Sequence, residues 1–76
     1  MTLQLLDTVV LTRDVPASGL RSGDVGAIVE VFDDAYEVEF VTGAGETRAL
    51  LTLSEEDLRE IGAHDLLAVR PLSRTA

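Results

Sequence analysis

Apolar and polar residues alternate along this chain in short runs cut by turn-forming residues, a pattern that predicts strands rather than long helices. The run from Asp7 to Arg13 is β-branched and of strand length, and Pro16, Ala17, Ser18 and Gly19 end it in a loop that reaches Gly23-Asp24. Val25 to Phe32 predicts a second strand, with Gly26 near its entry marking a bulge or a close backbone approach. Beyond Asp33-Asp34, Ala35 to Val41 alternates strictly, Tyr36, Val38 and Phe40 against Glu37 and Glu39, as a half-buried strand does. Gly43-Ala44-Gly45 predicts a turn, and Thr47 to Leu53 a fourth strand with Ala49, Leu51 and Leu53 on one face.

A register follows if Asp33-Asp34 are the two central residues of a hairpin. Val31 then pairs with Tyr36, Glu30 with Glu37, Val29 with Val38, Ile28 with Glu39 and Ala27 with Phe40. One face is wholly apolar, and burial of that face should hold the register. The turn is the weak point, because Asp-Asp suits positive dihedral angles less well than Asn-Gly or Asp-Gly, and a longer loop is the alternative.

Ser54 before Glu55-Glu56-Asp57 predicts a capped helical or 3₁₀ turn with carboxylates at its positive end. Leu58 and Ile61 at i and i+3 would pin it to the core, and Gly62 would stop it. Leu66 to Val69 predicts a fifth strand limited by Pro71, and Ser73 to Ala76 should fray. The expected fold is all-β: a small SH3-like five-stranded barrel over residues 1–76, one domain, with a short helical turn before the last strand. An open antiparallel sheet with a C-terminal helix is the alternative, weakened by Gly62 and Val69.

Length and charge narrow the function. A chain of 76 residues forms one small core, and such a domain commonly gains only about 3–5 kcal/mol from it, so self-association would add stability. Six arginines against fourteen Asp and Glu give a net charge of -8, which repels phosphate backbones and anionic membrane surfaces. With no cysteine there is no disulfide or thiolate metal site, and with no apolar span or leader pattern the expected location is the cytoplasm.

The candidate site is acidic. The predicted register opposes Glu30 and Glu37 on the solvent face, with Glu39 beside them and Asp33 and Asp34 at the hairpin tip. Opposed like charges cost several tenths of a kcal/mol. The functional reading is a protein-binding patch that recognises a basic partner protein by charge complementarity; the plain alternative is a solvated, screened face that serves solubility.

Other chemistry finds less support. His64 is the single histidine, expected in a turn, and no carboxylate beyond its neighbour Asp65 is placed with it. Asp33-Asp34 and Glu55-Glu56-Asp57 lack the spaced oxygen ligands of a calcium loop, so neither a metal nor another cofactor is expected. The serines have turn or cap roles rather than a nucleophile context, and no enzymatic activity is expected. Phe32, Tyr36 and Phe40 could form an aromatic cage, yet a chain with three aromatics needs them in its core. Gly23 to Val29 looks like the glycine-and-aliphatic turn of ribosome-associated SH3-like modules; RNA contact would need a basic groove built from Arg13, Arg21, Arg48 and Arg70. A structural homo-oligomer pairing through exposed edge strands is the remaining alternative.

Leu5-Leu6-Asp7, Leu11 to Asp14, Gly19-Leu20, Gly23-Asp24-Val25-Gly26, Tyr36-Glu37-Val38-Glu39-Phe40 and Ala49 to Leu53, in this order, resemble the small bacterial family catalogued as domain of unknown function 4926. The resemblance implies an SH3-like barrel, a stand-alone protein and action with a small partner as the antitoxin-like half of a pair. It brings no catalytic residues, and the segment from His64 to Ala76 matches least.

Overall fold

A computed structural model describes residues 3–72. The fraying expected of Ser73 to Ala76 lies outside the described residues. Five antiparallel strands form one sheet: β1 (Thr8–Leu11), β2 (Val25–Val31), β3 (Tyr36–Val41), β4 (Thr47–Leu53) and β5 (Leu58–Glu60), in the order β4-β3-β2-β1-β5. The fold is all-β, with 3₁₀ turns at Pro16–Ser18 and Glu55–Asp57 as its helical pieces among the described residues. Because β4 and β5 are both edges, the sheet is not closed into the expected barrel.

The inward face collects Val9, Leu11, Ile28, Val38, Phe40, Leu53 and Leu58 in a core that Leu3 and Leu20 complete. Every strand contributes to it, so burying these side chains holds the sheet in a curled shape around them.

Two elements differ from the sequence expectation. The 3₁₀ turn ends at Asp57 instead of running through Leu58 and Ile61. Its closing residue is occupied at both ends: the Asp57 carboxylate accepts the Ser54 N–H at 3.2 Å and the Arg13 Nε–H at 2.7 Å. Leu58 can then enter β5 opposite Leu11 and be buried. The fifth strand is therefore Leu58–Glu60, not Leu66 to Val69, because β1 already has β2 on one edge and β5 on the other.

The β2–β3 register is the second difference. Val31↔Tyr36 and Glu30↔Glu37 pair as expected, but the register then shifts, and Ile28 faces Val38 while Ala27 faces Glu39. Val29 is the extra residue. In an unbroken strand Ile28 and Glu30 share a face; the bulge lets Ile28 turn inward, fully buried, while Glu30 stays in solvent. Gly26 also faces inward, beneath Phe40, so the close backbone approach is real although the bulge lies further on. The Asp33-Asp34 turn avoids its expected difficulty. Leu6, at φ 71°, is the non-glycine residue with positive φ among the described residues, and the turn is closed by the Phe32 N–H donating to the Ala35 carbonyl at 2.9 Å.

Residues 61–72 form an irregular strap across β1 and β2, clasped at both ends. Arg59 holds Asp65 at 2.7 Å, and the Arg70 Nε–H donates to Asp24 at 2.8 Å. Hydrogen bonding from Arg70 holds the Asp24 carboxyl below the usual carboxylate range, partly offset by burial and aided by the Arg21 N–H. A carboxyl lowered on folding stabilises the folded contact above its ordinary pKa and loses that contribution as pH falls through the lowered value. Protonation of Asp24 below about pH 4 should therefore release Arg70, read as a pH-dependent shift of the Arg70 Nε–H resonance that Asp24→Asn removes. An Arg70 Nε–H resonance that does not move with pH would refute the clasp.

Candidate functional site

The β2–β3 hairpin from Val25 to Val41 carries five carboxylates, Glu30, Asp33, Asp34, Glu37 and Glu39, and no arginine. Strand alternation sends Glu37 and Glu39 to the face opposite Val38 and Phe40, and the bulge keeps Glu30 on that outer face across from Glu37. Asp33 and Asp34 are exposed at the tip that joins the strands. The structure thus brings all five candidate residues onto one hairpin.

The neighbouring strand adds what the sequence reading missed. Glu37 faces Thr52 and Glu39 faces Leu50 across the β3–β4 ladder. The Thr52 hydroxyl donates to Glu37 at 2.8 Å, and the Thr47 hydroxyl, brought into reach by the register shift between Phe40 and Val41, donates to Glu39 at 2.6 Å. Both are short hydrogen bonds to charged acceptors, the stronger class, and they hold two long side chains in half-buried, outward positions. Alternation in β4 could have supplied Thr52; Thr47 needed the register shift.

No cation neutralises this face among the described residues. The three ion pairs are Arg13–Asp57, Arg59–Asp65 and Arg70–Asp24, all elsewhere. Arg48 turns away to donate to the Ser18 carbonyl at 3.2 Å. The face is therefore a concentrated negative surface with apolar Leu50 and Val41 exposed beside it.

The other candidates do not assemble. Phe40 is buried, Tyr36 packs against the core and Phe32 is exposed on the hairpin, so the aromatics form no cage. His64 sits exposed in a turn. Of the arginines in the basic-groove reading, Arg48 and Arg70 line an open groove with Leu20, Val25 and Phe40, Arg70 is neutralised by Asp24, and Arg13 is held by Asp57.

The family model described as domain of unknown function (DUF4926) matches residues 5–60, well over half of the chain. The chain belongs to this family. The DUF4926 match covers all five strands and the whole acidic hairpin, and it stops at the last residue of β5, leaving the strap outside. No curated protein and no solved structure matches the chain. No helix among the described residues is long and apolar enough to cross a membrane.

Proposed function

We propose that the protein is a non-enzymatic binding module whose β2–β3 face docks a basic surface of a partner protein, as an antitoxin-like inhibitor would. One observation carries the reading: five carboxylates share a hairpin without a countercharge, and two of them are held outward by threonine hydroxyls. Opposing Glu30 to Glu37 works against a small domain's stability by several tenths of a kcal/mol, a cost that a docking role would offset. A basic surface relieves that repulsion on binding, and the field of the face speeds encounter. We read the open, curled sheet with its 3₁₀ turn between β4 and β5 as an SH3-like scaffold for this face. The paired states of Arg13 and Arg70 make an RNA-contacting groove the weaker reading.

Capture from the native cell extract tests it with charge-matched variants. Glu30→Gln/Glu37→Gln/Glu39→Gln and Glu46→Gln/Glu55→Gln/Glu56→Gln each remove three charges, but the second set leaves the face intact. A basic protein retained at low salt by wild type and by the second variant, and lost with the first, is the expected result. Equal loss from both would reduce the effect to net charge and defeat the reading.

A further inference from the structure

The outer edge of β4 differs in character from the rest of this molecule. Thr47–Leu53 is a seven-residue strand with β3 on one side and no strand on the other. It contains no Asp or Glu in a chain that has fourteen and no proline, and its one charged residue, Arg48, sits at the register shift at its start and donates to the Ser18 carbonyl, leaving Ala49–Leu53 regular. Apolar surface is open on both of its faces. Leu50 is 53% exposed on the outer face, while Ala49 and Leu51 point to the core side yet remain only half-buried.

The strand is also self-complementary. In an antiparallel pairing with a second β4 about a two-fold axis at Leu50, Leu50 meets its own copy and Ala49 meets Leu51. No carboxylate opposes a carboxylate, since Thr47–Leu53 contains none. A one-residue slip would mix the two faces, setting outward Leu50 against an inward-facing neighbour. The opposite edge offers no such template: β5 is three residues long, two of them charged, and the strap follows it directly. Growth would stop at two copies, because pairing about a two-fold axis uses β4 on both.

From this we infer that the chain forms a symmetric dimer through antiparallel pairing of the β4 edges, a second copy being the occupant of that edge. The partner covers Leu50 and completes the burial of Ala49 and Leu51, and the two sheets join into one of ten strands. The inference is independent of the docking reading and carries the opposite salt dependence. Two chains of charge -8 repel, so salt tightens the dimer, whereas it weakens docking of a basic partner.

Sedimentation equilibrium of the full chain over a range of concentrations, at low salt and at about 0.5 M salt, tests this. Wild type should move from monomer to dimer mass with concentration, at lower concentration in high salt. Leu50→Glu should raise the midpoint at least about tenfold, by opposing two charges at the axis and removing the burial of Leu50 on both copies. Val41→Glu changes an equally exposed residue one strand in, and should shift it much less. Both sites are exposed, and circular dichroism checks that each variant is folded. Concentration-dependent protection of the Ala49–Leu53 amides should accompany the dimer. Monomer mass throughout, or association that Leu50→Glu leaves intact or that Val41→Glu weakens equally, would overturn the inference.

Discussion

Ile28→Ala is expected to destabilise the domain by about 2–5 kcal/mol, and Val29→Ala by less than about 1 kcal/mol. The neighbours are both β-branched and adjacent in one strand, so an unbroken hairpin would assign them the reverse costs. The bulge decides otherwise: Ile28 is 0% exposed against Val38, while Val29 is 36% exposed. Truncating Ile28 removes buried apolar surface and leaves a cavity that a close-packed core fills only partly. In a domain of this size, with about 3–5 kcal/mol in hand, that loss leaves little folded protein. The folded fraction without denaturant measures Ile28→Ala, and the urea midpoint at constant slope measures Val29→Ala. A larger loss at Val29 than at Ile28 would restore the regular register and turn Ile28 out beside Glu39.

Gly26→Ala should cost about 2–3 kcal/mol, the largest effect expected from adding a single carbon. A Cβ there would lie 2.8 Å from Phe40 Cε2, 2.8 Å from Val38 Cγ1 and 2.9 Å from the Glu39 carbonyl oxygen. The ring of Phe40 could shift; the carbonyl belongs to the β2–β3 ladder and cannot without disturbing the strand that carries Glu37 and Glu39. Phe40→Leu in the same chain should recover part of the loss, so the double variant is less destabilised than the sum of the singles. Strict additivity, or a neutral Gly26→Ala, would show that Phe40 does not rest on this glycine.

These two sites also show where the sequence was legible. Tyr36, Val38 and Phe40 alternate with Glu37 and Glu39, so β3, its acidic face and its glutamate pair with Glu30 could be read directly. Between Gly26 and Val31 alternation says little, because Ala27, Ile28 and Val29 are apolar at every position and fit either parity. Burial of the larger Ile28, and room over Gly26 for Phe40, settle the matter only once the strands are packed. β5 escaped for a different reason. Three residues give no period, and the longer apolar run Leu66 to Val69 was the more visible signal, although its Val69 is 100% exposed. The threonines that hold Glu37 and Glu39 came from a strand whose register had not been assigned.

The central claim is that the β2–β3 face, rather than the net charge of the chain, recognises cations. Amide chemical-shift mapping during titration with an arginine-rich peptide tests it most directly. At low salt the shifts should concentrate on Glu30, Glu37, Glu39 and the Asp33-Asp34 tip, exceed those of Glu46, Glu55 and Glu56, and fade at about 0.5 M salt. Shifts spread evenly over all exposed acids, or centred on the Glu55–Asp57 turn, would contradict it.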